Sequence, residues 1–146
     1  MTNPSADELA LAQAAAHAMW ERDHTSRALG ISLEEVRPGY ARTGMAIVET
    51  MVNGHAIAHG GMVFALADST FALACNSRNV PFVALQCSIS YIAPARLGDR
   101  LVAEAHEHSL RGRTGVYDVT VARGEDTIAL FRGVCYRVSG TVTGDT

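Results

Sequence analysis

Residues 53–76 read NGHAIAHGGMVFALADSTFALACN, and the reading of this stretch decides the fold. It opens on a turn dipeptide, Asn53-Gly54, carries His55 and His59, and passes through Gly60-Gly61 into helix-forming sequence. From Met62 to Cys75 nearly every residue is apolar, which predicts a helix over about 60–76 that is buried all the way round. A membrane span needs about 18 or more apolar residues, and Asp68-Ser69-Thr70 interrupts this run well before that length. The stretch is therefore a core helix with one carboxylate in it.

Burying a carboxylate costs free energy unless it is paired or hydrogen-bonded, and the usual response is a raised pKa. No arginine lies within a turn of Asp68, and the chain contains no lysine. In a purely structural role, Asp68 would be held by a distant arginine or by backbone donors. In a catalytic role it would act as base or nucleophile, with the helix N-terminus at Gly60-Gly61 about two turns away. Free N–H groups at such an end, approached closely because glycine has no side chain, make an oxyanion site. A carboxylate facing an oxyanion site suggests acyl transfer.

Upstream of this helix, residues 5–22 form a helix: Ser5 and Glu8 give a capping box, and Leu9, Ala12, Ala16, Met19 and Trp20 share a face. Ile31–Val36 reads as extended and is closed by Pro38-Gly39, and Tyr40–Thr50 reads as a strand. Downstream, Phe82–Ile92 alternates, with Val83, Leu85, Cys87, Ile89 and Tyr91 on one face. Leu101–Leu110, Thr114–Ala122 and Thr127–Val138 follow, the last apolar on both faces and hence placed centrally. Short turns make these four strands antiparallel. The order predicts one α+β domain over residues 1–146, a hotdog fold with one long central helix wrapped by a curved antiparallel sheet of about five to six strands.

Composition narrows the function. The 146 residues suit a single core, and a net charge of −3 with no basic run argues against nucleic-acid binding. The N-terminus lacks a basic segment followed by an apolar one, so no secretory leader is expected. Cys75, Cys87 and Cys135 show no metal-binding spacing and read as reduced thiols, which points to a cytoplasmic protein.

The sequence resembles hotdog-fold acyl-CoA thioesterases of the phenylacetate-degradation (PaaI-type) group. The resemblance is carried by Asn53-Gly54-His55, His59-Gly60-Gly61, the Phe64–Asp68 segment, Ala74-Cys75-Asn76, Tyr91–Ala95, Gly115–Asp118 and Ala129–Gly133. It implies hydrolysis of aryl-acyl CoA thioesters such as phenylacetyl-CoA or hydroxyphenylacetyl-CoA, with no cofactor or metal. It implies Asp68 as base or nucleophile, the Gly60 N–H (with Gly61 adjacent) as carbonyl-polarising donor, and Asn53 as the group that positions water or thioester. His59 would order the loop and helix start. Such enzymes form homotetramers, dimers of dimers, in which Asp68 would meet Asn53 and Gly60 of a neighbouring chain. A supporting hydroxyl expected on the strand after the helix aligns with Ala84, so that role is vacant or moves to Gln86 or Ser88.

For the CoA phosphates, Arg111 and Arg113 flank Gly112 in a tight connection and are the leading candidates, with Arg96 behind them. Tyr91 and Tyr117 read as packing residues. His55 and His59 have the i, i+4 spacing of metal ligands but no third ligand nearby, so no metal is expected. Two other classes stay open: a hydroxyacyl-thioester dehydratase using a histidine with Asp68, and a non-catalytic acyl-CoA binder.

Overall fold

The computed structural model describes residues 2–144. Helix α1 (Ala6–Arg22) begins at Ser5, whose hydroxyl accepts from the Glu8 N–H while the Glu8 carboxylate accepts from the Ser5 N–H. A short helix α2 (His24–Ala28) follows, capped by Asp23. Strands β1 (Ser32–Arg37) and β2 (Tyr40–Ala46) form a hairpin, and β2 stops short of the expected Thr50 because Glu49–Met51 coils into a 3₁₀ turn. The long helix α3 spans Gly60–Cys75. Strands β3 (Phe82–Tyr91), β4 (Arg100–Arg111), β5 (Thr114–Arg123) and β6 (Asp126–Arg137) complete the chain.

The strands form one antiparallel sheet in the order β1-β2-β4-β5-β6-β3. Laid flat, six strands would be roughly 24 Å across, against about 10–12 Å for a helix. Yet α3 touches all six, so the sheet curves around it. The order corrects one sequence expectation. β3 and β4 do not form a hairpin: β3 crosses to pair with β6 and becomes an edge. β6, expected to be central, is an interior strand paired on both sides, with β5 and with β3.

Alternation along β4 and β5 sends Leu101, Ala103, Ala105, Tyr117, Val119 and Val121 inward onto Val63, Leu66, Ala67, Phe71 and Ala74 of α3. Among these apolar side chains, the Thr70 hydroxyl donates to the Leu66 carbonyl (2.7 Å), so the Thr43 hydroxyl, 2.7 Å away, must be the donor to Thr70. At the helix end, the Asn76 side chain accepts from the Phe82 N–H (2.9 Å) and donates to the Phe82 carbonyl (3.2 Å), which fixes where β3 starts.

Phe71 packs beneath β6 with its ring 5.9 Å from Tyr117 and 5.7 Å from Phe131. A Cβ at Gly133 would lie 2.6–2.7 Å from that ring, closer than atoms can approach. Gly133→Ala is therefore expected to cost about 1–3 kcal/mol, as overpacked cores do, read as a lower urea midpoint. An unchanged midpoint would show that the ring has room to move.

Helix α3 is not covered all the way round. Phe64, Ala65, Asp68, Ser69 and Ala72 are half-buried and Gly61 is exposed, a stripe at helical spacing. Beside it, β3 is open along most of its length: Val83 is 52% exposed, Leu85 66% and Tyr91 53%. A bulge between Ala84 and Gln86 also breaks the expected two-residue alternation. Val83 lies opposite exposed Tyr136, whereas Cys87, Ile89 and Tyr91 lie opposite buried Gly133, Phe131 and Ala129, on the helix side.

Candidate active site

The loop before α3 is a small closed turn pinned on both sides. Asn53 exchanges backbone bonds with Ile57 and Ala56, the Ala58 N–H reaches the Ala95 carbonyl (2.7 Å), and the His59 N–H reaches the Met51 carbonyl (2.7 Å). The left-handed residue is Ala56 (φ 62°) rather than Gly54. The Asn53 side-chain oxygen accepts from the N–H groups of His55 (2.9 Å) and Ile57 (3.3 Å). Backbone N–H groups only donate, so this fixes the amide orientation and leaves the Asn53 side-chain N–H₂ free to donate.

His59 is the N-cap of α3. Its Nδ1 accepts from the Gly61 N–H at 2.9 Å, and its carbonyl accepts from Met62 (2.9 Å) and Val63 (3.3 Å). Of the first four helix N–H groups, only that of Gly60 has no acceptor among the described residues. Gly60 N–H also belongs to the peptide whose carbonyl takes two hydrogen bonds, which polarises it further. A Cβ at Gly60 would press at 3.0 Å on the Tyr91 ring, whose hydroxyl donates to the Gly60 carbonyl at 2.8 Å. A cavity of about 500 Å³ opens in front of Gly60, lined by Asn53, Val63, Tyr91 and Ile128 among others.

Asp68 does not line that cavity. Helical rise puts it about 12 Å further along the axis from Gly60. The only side chain bonded to it among the described residues is Cys87 on β3, with Sγ 4.0 Å from Oδ1. Burial, and after it the charge of Asp23, hold the Asp68 carboxyl above the usual carboxylate range. Asp23 is itself engaged by α2, accepting from the Ser26 N–H (2.9 Å) and hydroxyl (2.6 Å). The Cys87 thiol is pushed up by burial and by Asp68. Among the described residues no cation pairs with Asp68, and a carboxylate on a half-open helix face has the chemistry to accept a proton or attack an electrophile.

One chain thus brings Asn53, His59, Gly60 and Gly61 together but holds Asp68 apart. Residues 55–130 match the description "Thioesterase superfamily". The chain belongs to the thioesterase superfamily. It is 43% identical over 131 residues to the acyl-coenzyme A thioesterase PaaI of Escherichia coli (strain K12), covering 89% of this chain and 94% of that one. The solved E. coli PaaI protein, from the phenylacetic acid degradation operon, superposes with a TM-score of 0.90 at 41% identity, covering 92% of this chain and 98% of that one. The smu.793 protein of Streptococcus mutans, solved bound to acetyl CoA, has a TM-score of 0.72 at 26% identity, with 75% and 89% covered. The anticipated α+β hotdog fold is the fold of this thioesterase.

Arg111 and Arg113 lie in this thioesterase's β4–β5 turn, beside the end of β6, since the Arg137 N–H donates to the Arg113 carbonyl (2.8 Å). That is the Phe82 end of β3, whereas the Asn53–Gly60 cavity lies at the Tyr91 end. Arg96 is exposed; its N–H donates to the Asp99 carboxylate (2.8 Å) and its carbonyl accepts from the Asp99 N–H (3.0 Å). Gln86 and Ser88 point to the exposed face, and Cys87 takes the place beside Asp68. Tyr117 packs as expected; Tyr91 does more, through its bond to Gly60. Neither Cys87 nor Tyr91 was legible in advance, because both positions depend on the bulge and on β3 being an edge.

Proposed function

We propose that the chain is an acyl-CoA thioesterase acting on aryl-acyl CoA thioesters, phenylacetyl-CoA or hydroxyphenylacetyl-CoA. The observation that carries this is that the same helix carries an unsatisfied N–H at Gly60, in a cavity with the Asn53 amide, and further along its axis a carboxylate that no cation neutralises among the described residues. The names borne by the E. coli relatives, one a CoA thioesterase and one from an operon for phenylacetic acid degradation, support the substrate class.

In the proposed reaction the Gly60 N–H receives the thioester oxygen as charge develops on it, and Asn53 donates to the water or the thioester. Asp68 takes a proton from water as the hydroxide adds to the carbonyl carbon. Collapse of the tetrahedral intermediate breaks the C–S bond and releases the CoA thiolate and the acid. In the other arrangement Asp68 attacks the carbonyl directly, the C–S bond breaks with loss of the CoA thiolate, and water then cleaves the resulting anhydride to the acid and the Asp68 carboxyl group. His59 holds the helix start, and Gly61, whose N–H is committed to the His59 ring, allows close approach. No step calls for a metal or a further cofactor.

A second copy of the chain completes the site. It covers the half-open stripe of α3 and the exposed β3 edge, and it supplies Asn53 and Gly60 to the Asp68 of the first. An uncovered apolar edge strand of this length is otherwise an aggregation liability. A dehydratase reading fits less well, because His59 Nδ1 is committed to the Gly61 N–H and His55 is exposed in the loop.

The test is thiol release from phenylacetyl-, hydroxyphenylacetyl-, benzoyl- and fatty-acyl-CoA. Aryl-acetyl esters are expected to give the highest kcat/KM. Hydration of an enoyl thioester without thiol release would establish a dehydratase instead, and saturable binding without turnover a binder.

A further inference from the structure

The basic end of the sheet has no task in the chemistry above. Arg37, Arg42, Arg78, Arg100, Arg123 and Arg132 all pair with carboxylates. Arg111, Arg113 and Arg137 have no acidic partner among the described residues, and all three lie together. Gly112 (φ 57°) bends the β4–β5 turn tightly, and the backbone bond from Arg137 to Arg113 ties that turn to the end of β6. Between the turn and residues 136–140 runs a groove of about 680 Å³, lined by Arg113, Tyr136, Arg137 and Ser139. The chain as a whole carries a net charge of −3. Arg113 and Arg137, two guanidinium groups without an acidic partner among the described residues on one groove, have the chemistry to receive a multiply charged anion.

We propose that this groove binds the phosphorylated nucleotide end of the CoA thioester and serves the Asp68 of its own chain. Arg113 and Arg137 contact the phosphates and the half-exposed Tyr136 ring stacks on the adenine. The assignment rests on the acyl-CoA reading. Its second half follows from reach. Arg137 lies opposite Phe82, and at the rise of an extended strand Cys87, beside Asp68, is about 16 Å along β3. Tyr91, bonded to Gly60, is about 30 Å along it. A pantetheine arm, with a backbone as long as that of roughly four extended residues, spans about 15 Å. A nucleotide in the groove thus delivers its thioester to Asp68 of the same chain, and the Gly60 N–H must come from the other copy. Antiparallel pairing of two β3 edges supplies it, because it brings the Phe82 end of one copy to the Tyr91 end of the other.

The test is calorimetric titration of wild type, Arg113→Ala and Arg137→Ala with CoA, dephospho-CoA and pantetheine, beside KM for phenylacetyl-CoA and phenylacetyl-pantetheine. Each substitution is expected to weaken CoA binding and raise KM for the CoA ester about tenfold or more, the effect of losing a charge-assisted bond. Pantetheine binding and kcat should not change. Equal CoA affinity in variants and wild type, or equal effects on both esters, would overturn the groove assignment. Arginine-dependent CoA binding without thiol release would uphold the groove and sink the hydrolase reading. For the pairing of groove with carboxylate, Asp68→Asn and Arg137→Ala chains are co-expressed. Only high-KM activity is expected, and low-KM activity would place groove and carboxylate on different chains.

Discussion

Asp68→Asn is expected to lower kcat for thioester hydrolysis by at least about three orders of magnitude while the assembly survives. The amide fills the same space but can neither take a proton from water nor attack a carbonyl. Among the described residues no carboxylate lines the cavity in front of Gly60, so none there takes over the role. Wild-type kcat/KM should rise with pH through the elevated pKa of Asp68, because the ionised form does the work. The same elevation has a thermodynamic sign. The folded state favours the protonated carboxyl, so its contribution to stability is full below the unfolded carboxylate value and is lost as pH rises through the folded one. Asparagine never ionises. The variant should therefore melt above wild type at pH 8, with the gap closing towards pH 4. Thiol-release kinetics and thermal melts check both halves, and an active variant would remove Asp68 from the chemistry.

Asn53→Ala should lower kcat by one to three orders of magnitude, the effect of losing one preorganised polar contact in the transition state. A companion variant separates two roles of this side chain. Asn53→Asp keeps an oxygen to accept from the His55 and Ile57 N–H groups, so the turn should hold. It removes the outward N–H₂ and should be as slow as Asn53→Ala. The alanine protein, having lost both turn bonds, should also melt lower, at about 1 kcal/mol per bond. A wild-type rate in Asn53→Ala would exclude Asn53 from the site, whatever the melts show.

Features set by local chemistry were legible in the sequence. The Ser5–Glu8 capping box, the extended runs of β4 and β5 with the tight turn between them, and the run from Gly60 to Cys75 each depend on neighbours within a few residues. The grouping of Asn53, His59 and Gly60 was legible for the same reason: one short loop joins them. What escaped was set at long range. Nothing near Phe82 announces that its partner is Arg137, and the bulge at Ala84–Gln86 that turns Cys87 towards Asp68 has no mark in composition. The open stripe on α3 was hidden because sequence hydrophobicity reports that a face must be covered, but not by which chain.

The crossing that makes β3 an edge also sets an order of events during folding. Phe82 waits for Arg137 and Tyr91 for Ala129, so β3 leaves a ribosome long before its in-chain partner exists. β4 and β5 meet through a tight turn and need no such wait. The rate of folding should therefore be governed by this late, non-local pairing, as in other sheets of high contact order. Until β6 arrives, Val83, Leu85, Ile89 and Tyr91 form an apolar strand with both edges free, open to pairing with other nascent chains. The strand whose free edge the proposed assembly would pair with a second copy is the one most in need of protection while the protein is being made.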